Sequence, residues 1–368
     1  MSQTIPFNNL IPLHTRLQQP LEAALQRVLA GGWYILGPEV EAFESAFAAY
    51  HGLKHAVGVA NGTDAIELAL RAASIGAGDE VITVAHTAAA TITAIERAGA
   101  IPVMVDIDPL TYTMNPQAAA AAITPHTRAI LPVHIYGHPA DLSTLKALTD
   151  QHGLLLIEDC AQAHAARWNG QLVGTFGALA SFSFYPTKNL GALGDGGAIL
   201  TNDDAYAEKL KRLRNYGQTR RYYHDERGIN SRLDELQAAL LSAKLPDLAA
   251  CTVMRREIAA TYAAALDGVG DLTLPIELPT AQHVYHLYVI RHPRRTDLMT
   301  HLAERGIGTL IHYPVPNHLQ AAFSDLGCRV GSLPETEKAA REIVSLPLWI
   351  GLSAAQVGAV AAAIKAFA

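Results

Sequence analysis

At 368 residues the chain exceeds the size at which one hydrophobic core usually keeps growing, so two domains are expected and a small stapled scaffold is excluded. Hydrophobic residues make up 50% and charged residues 17%, the balance of a compact soluble protein rather than a disordered one. A formal net charge of -6 offers no general attraction to nucleic acid, and the three distant cysteines, Cys160, Cys251 and Cys328, lack zinc-ligand spacing, so no metal is expected. The opening residues show neither a basic leader nor a long apolar run. The alanine-rich stretch from Ala118 also falls short of the roughly 20 apolar residues that cross a bilayer. A cytoplasmic location without membrane contact is the expectation.

Short apolar, β-branched runs predict strands at Ala56–Val59, Glu80–Val84, Ile101–Val105, Ala129–Val133 and Leu154–Ile157. Helical periodicity fills intervals between them, as in Asp64–Ala73 and Ala88–Arg97. The alternation predicts an α/β fold with a mostly parallel sheet covered on both faces, which binds ligands at the carboxyl ends of its strands. Phe176–Phe184 reads as two short strands or a hairpin, and Gly196–Thr201 as a further strand. From about Leu245 the texture changes. A long helical stretch through Arg255, Arg256 and Tyr262 leads to an alternating strand at Val284–Ile290 and a helix at Arg294–Arg305. This predicts a large domain over 1–245 and a small α/β domain over 246–368, divided within a helix.

The polar residues that stand out follow the predicted strands. Asn61-Gly62-Thr63-Asp64 joins a strand to a helix: glycine permits a tight turn, Thr63 or Asp64 could cap the helix, and the first-turn amides could equally receive a phosphate. Neither the P-loop nor the dinucleotide fingerprint occurs, which weakens ATP-binding and NAD-dependent readings. His86 follows the second strand, and His134 and Tyr136 the fourth. The acidic end of Leu156-Ile157-Glu158-Asp159 could protonate a pyridine nitrogen, ligate a metal or cap a helix. Lys188 lies in a polar turn behind an apolar strand and before Gly191, Gly194, Gly196 and Gly197. Desolvation there would favour the neutral amine that attacks an aldehyde, although an isolated lysine is usually a solvated surface group.

Three further clusters are ambiguous by local pattern. Asn230 or Ser231 could cap the helix that begins near Asp234. Arg220, Arg221, Tyr222, Tyr223 and His224 could line a groove for an anionic substrate or form a surface loop. His312-Tyr313-Pro314 and His318 form a shaped loop that could reach the crevice, as could Tyr185 beside the lysine turn.

Taken together, Gly37–Val40, Asn61–Ala65, Glu158–Gln162, Ser183–Gly191 and Asn230–Gln237 closely resemble the DegT/DnrJ/EryC1/StrS family of sugar aminotransferases, over roughly Pro6 to Trp349. The resemblance implies the aspartate aminotransferase-like fold type I with pyridoxal 5'-phosphate (PLP) as cofactor. Lys188 would hold it as an imine, Asp159 would pair with the pyridine nitrogen, and Gln162 would approach the ring hydroxyl. Gly62, Thr63 and Ser183 would contact the phosphate, with Asn230 supplied by the partner of a homodimer. Where the family usually places an aromatic residue after the threonine matching Thr87, this chain has Ala88, so His86 is expected to cover the ring instead. Trp33–Leu36, Tyr185–Leu190, His283–Tyr288 and Thr309–Pro314 most resemble members that aminate C3 of a dTDP-linked 3-keto-6-deoxyhexose with L-glutamate as donor. Family relatives acting at C4, on UDP-linked sugars or on cyclitols are the nearest alternatives. A dehydratase on this scaffold would carry histidine in place of Lys188, and a non-catalytic regulator would not need the full cofactor set.

Overall fold

The computed structural model describes residues 4–367. A seven-stranded sheet is formed by β1 (His55–Val59), β2 (Glu80–Val84), β3 (Ile101–Val105), β4 (Thr127–Ile130), β5 (Leu155–Asp159), β6 (Leu179–Ser183) and β7 (Gly197–Thr201). Its order is β1-β7-β6-β5-β4-β2-β3, with β7 antiparallel to both neighbours and every other pairing parallel. The central strands are buried along most of their length, as expected where helices cover both faces. The segment ahead of Lys188 is thus one strand, β6, rather than a hairpin, and its pairing with β5 sets the lysine turn beside Asp159.

Helices α1 (Pro38–His51), α2 (Gly62–Ala72), α3 (Ala89–Arg97), α4 (Glu235–Lys244), α5 (Leu248–Leu266) and α6 (Ala354–Lys365) frame the site and the second core. Nearly the whole of α2 is buried, so its amino end is held rigidly against the sheet. Phe43 and Phe47 of α1 meet Phe182 and Phe184 edge-on, at centroid distances of 5.1 to 5.4 Å, and stiffen the strand that leads into the lysine turn.

The second core gathers Ile258, Tyr262 and Leu266 of α5 with β8 (Tyr288–Arg291), β9 (Ile343–Leu346) and α6. β8 and β9 pair antiparallel. Between α4 and α5 the chain turns through a 3-10 segment at Leu245–Asp247, where Pro246 lacks the amide a continuous helix needs. Ile5 also joins this second core and bridges to Ile307, so the beginning of the chain packs with the C-terminal elements. Among the described residues no helix is long and apolar enough to cross a membrane.

Candidate active site

The carboxyl ends of β1, β2, β5 and β6 converge on a cavity of about 380 Å³. Its lining includes Gly62, Thr63, Asp159, Gln162, Ser183, Tyr185, Lys188, His312 and Tyr313; of the residues that follow the predicted strands, Asn61–Thr63 and Asp159 reach it, whereas His86, His134 and Tyr136 do not.

At one end, β1 feeds α2. Asn61, rather than Thr63 or Asp64, is the capping residue, with its side chain accepting from the Asp64 amide at 2.9 Å. Asp64 instead pairs with Arg97 at 3.1 Å. The amides of Gly62 and Thr63 remain without protein partners among the described residues, at the positive end of a buried helix. A Cβ on Gly62 would lie 2.7 Å from the Ser183 Cβ, and one on Gly197 would lie 2.4 Å from the Asn61 carbonyl oxygen. Both glycines let the backbone draw close enough to leave a small, amide-lined cradle.

At the other end, Asp159 terminates β5 with its backbone locked between Pro132 and His134. One carboxylate oxygen accepts from the Ala161 amide at 3.1 Å and the other from Thr91 Oγ1 at 3.0 Å. Burial raises its pKa above the ordinary aspartate value, against the pull of those hydrogen bonds and of the Lys188 charge.

Lys188 sits in a turn tied down on every side. Its amide donates to the Tyr185 carbonyl at 2.8 Å, Asn189 reaches the Val284 carbonyl at 3.1 Å, and the Lys244 ammonium donates to the Gly191 carbonyl at 2.7 Å. A side chain on Gly191 would strike the Pro186 carbonyl, so the turn can close only with glycine there. The Lys188 amine itself has no hydrogen-bond or ion-pair partner among the described residues, Asp159 included. Burial depresses its pKa to about 8, with the Asp159 carboxylate pulling the other way. An amine and a carboxylate thus face one cavity without collapsing onto each other.

Gln162 accepts from the Tyr136 amide at 2.7 Å and donates to the Tyr313 hydroxyl at 3.3 Å, which fixes its orientation. Burial and the Asp159 charge push the Tyr313 phenol up to about 12, and burial followed by the Lys188 charge holds His312 down at about 4. Both are neutral hydrogen-bonding groups at pH 7.

His86 does not line the cavity. Its imidazole turns inward, 2.7 Å from the Tyr136 hydroxyl, and packs against Tyr112 and Tyr136. Since that hydroxyl donates to the His312 carbonyl, His86 Nε2 must be the donor to Tyr136. The cavity wall here is instead Thr87, Ala88 and Ala90, small side chains that offer no stacking ring, so the expectation for His86 is corrected. His318 is likewise buried away from the cavity, 3.2 Å from Glu337. Arg220 and Tyr222 lie on an exposed hairpin with Arg220 stacked 3.7 Å over Tyr223, and Asn230 is exposed. None of the three enters this chain's own cavity.

Asn230 and Ser231 do not cap α4. Ser231 accepts from the Ala60 amide at 3.0 Å and so supports the Gly62 turn from beneath. Sequence reasoning missed Thr91, His286 and Asp195, which also line the cavity. Thr91 was the findable one, four residues after Thr87 on the first turn of α3. His134, Glu158 and Cys160 cluster tightly enough to suggest a metal site, but the polar atoms of His134 and Glu158 are already engaged. Glu158 accepts from Gly174, Phe176 and Gly177 amides and from His134, whose other ring nitrogen accepts from the Ala140 amide. The trio is a bracket beneath Asp159.

Residues 16–365 match the model of the DegT/DnrJ/EryC1/StrS aminotransferase family. The chain belongs to this family. It is 49% identical to the erythromycin biosynthesis sensory transduction protein EryC1 of Saccharopolyspora erythraea, covering 98% of this chain and 99% of that one. It is 47% identical to the dTDP-3-amino-3,4,6-trideoxy-alpha-D-glucose transaminase of Streptomyces venezuelae, covering 99% and 96%. The crystal structure of S. venezuelae DesV in complex with a ketimine intermediate superposes with a TM-score of 0.97 at 47% identity, over 99% of this chain and 98% of that one. Solved structures of this fold include forms holding the pyridoxamine and pyridoxal states of the cofactor. Membership of the DegT/DnrJ/EryC1/StrS aminotransferases makes PLP the cofactor and amino transfer the reaction class, on a fold type I scaffold.

Proposed function

We propose that this protein transfers the amino group of L-glutamate to the C3 keto group of a dTDP-linked 3-keto-6-deoxyhexose, giving a dTDP-3-amino-3,6-dideoxyhexose and 2-oxoglutarate. The observation that carries the reading is the unpaired Lys188 amine facing the same cavity as the Asp159 carboxylate, with the Gly62 cradle at its edge. These residues fit PLP. The free amides of Gly62 and Thr63 and the Ser183 hydroxyl suit a phosphate, Asp159 a protonated pyridine nitrogen, and Gln162 a ring hydroxyl. The similarity to a dTDP-sugar transaminase supports the substrate class.

When bound, the cofactor supplies an aldehyde that accepts an amine and an electron-withdrawing ring beside the carbon to be deprotonated. Lys188 Nζ, neutral above about pH 8, takes the proton from the donor's α-carbon and in the second half-reaction delivers one to C3 of the sugar. Asp159 keeps a proton on the ring nitrogen throughout. The neutral Tyr313 and His312 would orient the ligand without adding charge, and the small side chains of Ala88 and Ala90 leave that wall of the cavity open. We further propose a homodimer in which Asn230 and the Arg220–Tyr222 hairpin complete the partner's cavity, since they are exposed and lie outside their own.

Glutamate-dependent conversion of a panel of 3-keto and 4-keto sugars linked to dTDP or UDP tests the substrate. The dTDP-linked 3-keto-6-deoxyhexose is expected to lead, and preference for a 4-keto or UDP-linked member would overturn the assignment. Lys188→Ala should abolish turnover in this assay. A mixture of Lys188→Ala and Asn230→Ala chains should regain activity if the sites are shared, because a mixed dimer holds one intact site. No recovery after subunit exchange would argue against sharing.

A further inference from the structure

Three arginines are buried among the described residues, and two have acids beside them: Arg214 pairs with Glu44 and Arg291 with Glu342. Arg255 on α5 has none. Its Nη1 donates weakly to the Tyr285 and His286 carbonyls at 3.2 and 3.4 Å, and Nε and Nη2 have no partner among the described residues. A buried cation without a counter-charge is costly, so its persistence at a cavity is a reason to look for an anion.

The guanidinium opens on a second chamber of about 260 Å³. Tyr185, Thr187, His286 and His312 line both this chamber and the one holding Lys188, so the two adjoin across that rim. Among the described residues no aspartate or glutamate lines the second chamber, and Arg255 is its one formally charged group. Its apolar wall, with Phe7, Leu287, Leu310 and Leu348, would strengthen a charged hydrogen bond by excluding water. The chamber is smaller than the roughly 300 to 1,000 Å³ of pockets that hold drug-sized ligands, so it suits the tip of a short chain better than a nucleotide.

We propose that Arg255 receives the side-chain carboxylate of the amino donor and so selects glutamate over donors that lack one. The inference rests on the aminotransferase reading and deepens it. A donor with its amino group at Lys188 would send its distal carboxylate past Thr187 and His312 into the Arg255 chamber, where the planar guanidinium can meet it with two hydrogen bonds. Arg255 would then be a specificity residue, without a part in proton transfer.

The test uses the cofactor-loaded enzyme and follows the absorbance change of each half-reaction. L-Glutamate is compared with L-norvaline, which has the same chain length and α-carboxylate but no distal charge. Arg255→Gln should lower kcat/KM for glutamate roughly 10- to 100-fold. Norvaline and the keto-sugar half-reaction should stay unchanged, and Arg255→Lys should retain part of the glutamate rate. An equal loss with both donors, no loss with either, or a loss confined to the keto-sugar half-reaction would overturn the proposal. Glutarate binding, read as a rise in melting temperature, provides an arm independent of amino transfer. It should stabilise the wild type and Arg255→Lys but not Arg255→Gln, and equal stabilisation of all three would contradict the assignment. A wild type that binds glutarate yet gives no absorbance change with glutamate would instead count against glutamate as the amino donor, leaving the carboxylate site standing.

Discussion

Lys188 and Asp159 act on each other through the cavity as well as on a ligand in it. Burial drives the lysine towards its neutral form, while the carboxylate restrains the shift and leaves the pKa at about 8. Above that value the amine is a competent nucleophile, and below it protonation removes the lone pair. The rate at which the cofactor-free protein captures added PLP should therefore rise with pH to an inflection near 8. Asp159→Asn removes the opposing charge and should move the inflection lower. An inflection near 10.5, the ordinary lysine value, would show that the amine is not desolvated. Both residues were legible in the sequence because Asp159 ends an apolar strand and Lys188 lies in the polar turn that follows another. His86 was misplaced for a physical reason: strand-end position gives the location of a backbone, whereas the direction of the side chain was set by the Tyr136 hydroxyl, a partner 50 residues away.

Strand β5 illustrates how an element divides labour between adjacent acids. Glu158 points to one face, where burial alone would raise its pKa, but His134 and the backbone amides of the 174–177 turn outweigh it and bring the value below the ordinary one. A carboxyl depressed in the folded state contributes stability above its unfolded pKa and loses it as the pH falls through the folded value. Glu158→Gln replaces an acceptor with a donor against these amides and should cost about 2–5 kcal/mol in urea unfolding at neutral pH. Asp159 shows the opposite sign: its raised pKa means that the charged form is a burden without a cationic partner. Cofactor-free Asp159→Asn should melt no lower than wild type while binding PLP less tightly. If Asp159→Asn were the destabilised one and Glu158→Gln neutral, the roles would be reversed. Helix capping was less legible than strand ends. The amino end of α1, preceded by Gly37, is capped by Glu235 from α4, whose carboxylate accepts from the Gly37, Glu39 and Val40 amides at 2.8 to 2.9 Å. No local pattern could reveal a cap 195 residues away.

At the scale of the whole molecule, the order of the sheet turns separate motifs into one site. β1 lies at an edge, yet antiparallel β7 inserts between it and β6, so the ends of β1 and β6, which lead into the Gly62 turn and the Lys188 turn, flank Gly197. Alternating strands and helices predicted the parallel core, but a single reversed strand leaves no mark in composition or periodicity. The Arg255 chamber is lined by Leu287 of the main core and Leu348 of the second, so it lies where the two packing units meet, whereas Tyr313 packs against the main core. The claim on which the rest depends is that Lys188 is the attachment point for the cofactor. Borohydride reduction of the PLP-loaded protein followed by peptide mass mapping tests it directly. The pyridoxyl mass should appear on the peptide containing Lys188 and vanish in Lys188→Ala; a label on another lysine, or none in the wild type, would contradict the account.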